Sequence, residues 1–143
     1  MFEEILQNVA AKAPLVHCIT NYVTVNDCAN ILLACGGSPI MADDENEVEE
    51  ITSICNALVL NIGTLNTRTI ESMRRAGLRA NALGHPVVFD PVGAGASALR
   101  TGTAQSLLRD VRQQLGDPHA GARRRHDARC RRRRGRRRDR ADA

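Results

Sequence analysis

The chain changes character just after Arg112, and this break sets how much of it can fold. Up to that residue, apolar runs alternate with polar, amphipathic stretches. From Gln113 to Ala143 the sequence holds 12 of its 20 basic residues, all arginine, and almost nothing able to form a core. Residues 1–112 carry 8 basic and 12 acidic side chains, a formal −4; residues 113–143 carry 12 and 4, a formal +8, giving the net +4. The basic balance of the whole therefore describes neither part. Residues 1–112 amount to one domain at most. Function is to be read there, and the arginine-rich segment needs its own explanation.

No run of about 18 uninterrupted apolar residues is present, so no membrane-spanning helix is expected. The acidic start Met1-Phe2-Glu3-Glu4 lacks the basic and then apolar stretches of a secretory signal, which points to the cytoplasm. Five cysteines form an odd set without a CxxC pair. They are expected to be small buried hydrophobes in a reducing compartment rather than disulfides or metal ligands. With no Trp, one Tyr and two Phe, the core has to come from Val, Ile, Leu and Ala.

Strand-like and helix-like stretches alternate over residues 1–112. Residues 3–12 predict a short helix ended before Pro14, and Leu15–Thr20 a strand. Asn26–Cys35 has Cys28, Ile31, Leu32 and Cys35 at helical spacing and stops at Gly36-Gly37. Ser38–Ala42 predicts a second strand. Asp43–Ile54 predicts a helix whose acidic start suits the positive end of the helix dipole. Ala57–Ile62 is a continuous apolar run of the kind buried on both faces of a parallel sheet. Asn66 or Thr67 is expected to cap a helix over Ile70–Leu83 ending at Gly84. Pro86–Phe89 predicts a further buried strand, and Thr101–Val111 a last amphipathic helix. The repeated β-then-α order argues for an α/β fold, a parallel sheet of about four strands with flanking helices. Functional loops then lie at the carboxyl ends of the strands.

Of those loops, Asp90-Pro91-Val92-Gly93-Ala94-Gly95 carries the strongest signal. An acid at the end of a buried strand, followed by Pro and two glycines, sets one carboxylate at the sheet edge beside backbone that can approach a ligand closely. Asp90 could hold magnesium and, through it, nucleotide phosphates; the plainer reading is that it caps the turn. No Gly-Lys-Ser/Thr follows and the third glycine of a dinucleotide fingerprint is missing. Asn61-Ile62-Gly63-Thr64 reads equally well as a ligand loop and as an ordinary strand-to-helix turn permitting positive φ. Thr20-Asn21 offers an amide for a heterocycle or for a turn. Met41 suits either a flat ring or the core. His17 is expected to be a packed histidine rather than a ligand.

Together, Val16-His17-x-Ile19-Thr20-Asn21, Gly37-Ser38-Pro39-Ile40-Met41-Ala42, Ala57–Leu65 and Pro86–Ala96 resemble, in order and spacing, the N-terminal half of hydroxyethylthiazole kinase. The resemblance runs from about residue 1 to Arg112. It implies a partial ribokinase-like fold and transfer of the ATP γ-phosphate to the hydroxyethyl arm of a thiazole alcohol in thiamine biosynthesis or salvage. It also implies a homotrimer with the thiazole site between protomers. By position, Asn21, Met41 and Gly63 would line the thiazole pocket. Asp90, with Gly93 and Gly95, would belong to the magnesium–ATP site, with Asp90 as the metal ligand.

The departures lie downstream. Asp117-Pro118-His119 stand where the family carries an Arg-Gly-Asn segment that contacts ATP. The family's glycine-rich anion hole and catalytic residue belong to a C-terminal half without counterpart here. Phosphoryl transfer depends on positioning and charge stabilisation, so the chain is expected to be inactive by itself. For residues 113–143 two readings compete. One is a small nucleic-acid-binding protein whose arginines neutralise phosphates. The other is out-of-frame translation after Arg112. An admissible codon choice for His126–Ala143, read one base later, gives Thr-Thr-Arg-Gly-Val-Asp-Ala, which looks like the family's next segment.

Overall fold

The computed structural model of the chain describes residues 2–113. The arginine-rich segment, with both readings of it, Cys130 and Asp117-Pro118-His119 lie outside the described residues. Within them the chain runs α1 (Phe2–Lys12), β1 (Leu15–Ile19), α2 (Val25–Ala34), β2 (Ser38–Met41), α3 (Val48–Ile54), β3 (Ala57–Asn61), α4 (Thr67–Leu83), β4 (Val87–Asp90) and α5 (Ala98–Asp110). All four strands are parallel, in the order β2-β1-β3-β4. Parallel neighbours need crossover connections, and here each crossover carries a helix. The chain steps outward from β1 to β2, then returns past β1 to β3. Its direction therefore reverses between β1 and β3, the point where open α/β sheets form a crevice above the strand ends.

Element order and type follow the sequence reading; three helix starts move by three residues or more. The acidic stretch after β2 forms a turn, and α3 begins only at Val48. The Asp44 carboxylate takes the Asn46 backbone N–H at 2.9 Å, and Glu47 N–H donates to the Asp44 carbonyl at 3.1 Å. A short acid that bonds its own backbone competes with helix formation. Helix α4 starts three residues early, at Thr67. Asn66 accepts from Thr69 N–H while the Thr69 hydroxyl accepts from Asn66 N–H, a reciprocal cap. Helix α5 starts at Ala98, because the Ser97 hydroxyl accepts from Arg100 N–H.

The core lies between one sheet face and the layer α3–α4–α5. Leu58, Leu60, Val87 and Phe89 alternate inward along β3 and β4 and meet Met73, Ala76 and Ala80 of α4 with Ala104 and Leu107 of α5. The apolar run of β3 is not buried on both faces, contrary to the expectation from its composition, and β4 is buried on one face only. Val59 is half-buried and Val88 exposed, because the helix layer covers only the Leu58/Phe89 side. The apolar stripe expected on α2 is likewise left open: Ile31 and Cys35 are exposed, and α2 buries no residue fully. Of the described cysteines, all free, Cys18 and Cys55 are the small buried hydrophobes expected, Cys28 is half-buried and Cys35 is not buried at all.

His17 is a packed histidine, fully buried. Its Nε2 lies 2.8 Å from the Ala42 carbonyl and its Nδ1 2.9 Å from the Thr52 hydroxyl, tying β1 to the end of β2 and to α3. Burial pushes its pKa below the ordinary value of 6.5, against the opposing pulls of the Ala42 carbonyl and Glu47. A base whose folded pKa is lowered takes up a proton more readily when unfolded. Stability is therefore expected to be full above about pH 6.5 and to fall as the pH drops from there toward the folded value. Urea midpoints across that range, with the His17 ring followed by NMR, check the sign.

The described chain ends docked. A Cβ at Gly77 in α4 would lie 2.5 Å from a Val111 methyl, so only glycine lets Val111 seat against the helix. Asn81 then clamps the next residue, accepting from Arg112 N–H at 2.6 Å and donating to its carbonyl at 2.9 Å. Gly77→Ala gains roughly 1 kcal/mol of helix propensity but forces an overpacked contact costing about 1–3 kcal/mol. A net loss of stability is expected in urea unfolding of the full chain.

Candidate functional site

The candidate site sits over the reversal point, where the ends of β1, β3 and β4 are joined by side-chain amides. Asn21, just past β1, is 8% exposed. Its Oδ1 accepts from Val23 N–H (3.1 Å), Thr24 N–H (3.0 Å) and the Thr24 hydroxyl (3.1 Å), shaping the turn into α2. Its Nδ2 donates to Asn61 Oδ1 at 3.1 Å. Asn61, the last residue of β3, also accepts from Gly63 N–H at 2.8 Å and donates from Nδ2 to Asp90 Oδ2 at 2.8 Å. Backbone N–H groups only donate, so they fix which end of each amide is oxygen.

Gly63 does not have the positive φ that the sequence reading allowed for. It is needed for space: a Cβ there would lie 2.9 Å from Asn21 Nδ2, 2.9 Å from Asn61 Oδ1 and 3.0 Å from Asn21 Cβ. Positive φ occurs instead at Gly93 (72°) and Gly95 (94°) in the loop after β4. That loop folds onto α5. Gly95 N–H donates to the Thr101 hydroxyl at 2.9 Å, and Arg100 lies over Gly93 while donating to the Val92 carbonyl at 3.2 Å. The turn is closed by backbone bonds from Ala94 to Pro91 and from Ala96 to Gly93. The Asp90 side chain binds Asn61 rather than capping the turn.

Asp90 is exposed, with Oδ2 held by Asn61. Among the described residues no three His, Cys, Asp or Glu side chains gather. One exposed carboxylate suits magnesium that arrives on a nucleotide, since that ion keeps waters and phosphate oxygens and takes only one or two protein carboxylates.

Met41 lies at the other end. It lines an open cleft of about 60 Å³ with Thr20, Tyr22, Val25 and Asp43. Neither Asn21 nor Gly63 lines this cleft, although Thr20 and Tyr22 flank Asn21 in sequence. Tyr22 donates its hydroxyl to Asp43 across the cleft, and that bond raises the phenol's pKa. On the floor, burial pushes the Cys18 thiol up to about 12, so it stays protonated and unreactive. The volume falls well below the roughly 300–1,000 Å³ of a ligand-enclosing pocket; the cleft is one wall of a site.

The residues singled out in the sequence thus form two groups. Asn21, Gly63 and Asp90 are linked through Asn61, and Met41 stands across the sheet on β2. Three strand spacings of about 4.8 Å put roughly 14 Å between the β2 and β4 ends. Asn61 is the linking residue that sequence reasoning did not select. Its signal was a polar side chain within the apolar run Ala57–Ile62, two residues before Gly63. The Tyr22–Asp43 contact left no signal, since 20 residues separate the partners in sequence beyond any local spacing rule.

A parallel sheet with helices in its crossovers and a strand order that reverses between β1 and β3 defines an open α/β protein. Residues 6–116 match the profile described as the hydroxyethylthiazole kinase family, and the chain belongs to that family. It is 67% identical over 112 residues to the hydroxyethylthiazole kinase of Desulfovibrio desulfuricans, covering 78% of this chain and 39% of that one. Against the enzyme of Clostridium acetobutylicum the identity is 68% over 112 residues, covering 78% and 41%. The solved structure of the hydroxyethylthiazole kinase protein from Pyrococcus horikoshii OT3 superposes with a TM-score of 0.73 at 48% identity, covering 75% of this chain and 42% of that one. The chain spans about 40% of the length of the curated relatives it matches.

Gly63→Ala tests the close packing of the two amides. The added methyl has to separate Asn21 from Asn61, and a buried hydrogen bond lost this way costs about 1–3 kcal/mol. The expected result is a lower urea midpoint together with displaced Asn21 and Asn61 side-chain amide signals in NMR spectra.

Proposed function

We propose that this chain carries the substrate-facing N-terminal part of an enzyme that transfers the γ-phosphate of ATP to the hydroxyl of 4-methyl-5-(2-hydroxyethyl)thiazole in thiamine biosynthesis. The observation that carries this reading is the 67% identity over 112 residues, a stretch that includes all four strand-end loops. Met41 would give the sulfur heterocycle a soft apolar wall, with Asn21 and Gly63 completing the pocket. Asp90, beside Gly93 and Gly95, would hold magnesium on the nucleotide. Bound there, the ion would offset the negative charge on the phosphates. The open cleft agrees with a pocket finished by a neighbouring protomer of a homotrimer. The absence of any membrane-spanning helix among the described residues is compatible with a cytoplasmic location.

By itself the chain would bind rather than turn over. Phosphoryl transfer is driven by positioning and charge stabilisation, and the chain spans only about 40% of the length of its curated relatives. The kinase family match favours this reading over the nucleic-acid one. Similarity that ends by residue 116 also supports reading the arginine-rich segment as out-of-frame translation; a gene sequence with no alternative frame there would overturn that.

Titration of the full chain with the thiazole alcohol, followed by the Met41 methyl signal, tests the assignment. The wild-type signal is expected to move, and Met41→Ala to weaken binding about tenfold, as the loss of a partly buried side chain worth roughly 1–2 kcal/mol would give. Incubation with ATP, magnesium and the alcohol is expected to give no thiazole phosphate. An unmoved Met41 signal at saturating alcohol would refute the substrate assignment, and product formation would refute the inactivity.

A further inference from the structure

Asn61 touches both Asn21, just past β1, and Asp90, at the end of β4. Two backbone N–H groups fix Asn21 Oδ1, which leaves Asn21 Nδ2 to donate to Asn61 Oδ1. Gly63 N–H fixes Asn61 Oδ1 in turn, which leaves Asn61 Nδ2 to donate to Asp90 Oδ2. Donors therefore point in one direction, from the turn after β1, through two amides, to the carboxylate at the end of β4. A chain of this kind strengthens along its length, and its last bond, to an ionised acceptor, is the strongest type. Neither amide can flip without setting its NH₂ against a backbone N–H.

We propose that Asn61 is a positioning residue: it holds the Asp90 carboxylate and the Asn21 amide at fixed spacing, so that the metal–nucleotide end and the alcohol end of the site act as one unit. The identity of the two ligands rests on the kinase reading; the coupling itself does not. Asn61 need not contact either ligand. Its role is to make Asp90 answerable to the turn that carries Asn21, across two strands of the sheet.

The test uses the full chain and a swapped pair. Asn61→Asp keeps the acceptor for Asn21 and Gly63 but sets a second carboxylate against Asp90, where the donor had been. Its melting midpoint at neutral pH is expected to fall by roughly 5–10 °C. Adding Asp90→Asn restores a donor–acceptor pair of reversed polarity, and most of the loss is expected to return. Should N61D alone fail to fold, the double variant still decides: a midpoint near wild type supports the coupling, and no recovery overturns it.

A second readout separates positioning from plain stability. Magnesium–ATP is expected to shift the Asn21 side-chain amide signals in the wild-type chain, and to leave them unmoved in folded N61A while the Ala94 and Gly95 backbone signals still respond. Equal Asn21 shifts in both chains, or none in the wild type despite a response at Gly95, overturn the proposal. If magnesium–ATP moves nothing in any chain, the nucleotide assignment fails, and the swapped pair alone judges Asn61.

Discussion

The bond between the Asn61 amide and the Asp90 carboxylate stands where the architecture leaves its polar gap. A sheet that starts at β1, steps out to β2 and returns to β3 parts its loops above β1 and β3. Strand ends at such a point have backbone groups without ladder partners, and these have to be satisfied. Asn21 and Asn61 do this with their oxygens, and their remaining N–H groups pass the interaction on to Asp90. The glycine at 63 follows from this arrangement, since any Cβ there would part the two amides. So does the position of Asp90, which is exposed and held in place by one oxygen.

Beneath that layer the fold is asymmetric. One face of β3 and β4 is sealed by α4 and α5, whose close approach depends on Gly77 accepting Val111. The other face leaves Val88 exposed and Val59 half-buried. His17 supports the β2 end from below. By reaching both the Ala42 carbonyl and Thr52, it fixes the residue after Met41 against α3. The cleft wall at Met41 is thus braced by a buried imidazole, although His17 does not line it.

Most of the fold was legible in the sequence because strand and helix periodicity is local. Apolar runs such as Ala57–Ile62 and the glycine stops at Gly36 and Gly84 identify elements without knowledge of their neighbours. Boundaries moved where a side chain competes with the backbone, as Asp44 does before α3 and Ser97 before α5. Burial on both faces of β3 was misjudged for a different reason. Composition states that a strand can be buried, whereas coverage depends on which helices cross it. The site divides in the same way. Asp90, Gly93 and Gly95 announce themselves by local pattern, and Met41 and Asn21 emerge through resemblance. Asn61 and the Tyr22–Asp43 contact depend on strand order, which no local pattern encodes.

The spacing of the two halves constrains the chemistry on the proposed kinase reading. An alcohol seated on Met41 and a phosphate drawn to Asp90 enter from opposite edges of the sheet. The reacting atoms then have to meet over β1 and β3, above Asn21 and Asn61. The Asn21 and Asn61 carboxamides there are already engaged in hydrogen bonds, and carboxamides do not titrate. They can orient the reactants but cannot accept the alcohol's proton. The Cys18 thiol in the Met41 cleft is held protonated by burial. On that reading the strand ends form a floor beneath the reactants, held by the bonds from Asn21 through Asn61 to Asp90. A floor of that kind gains most from stiffness, which the one-directional chain of donors from Thr24 to Asp90 provides.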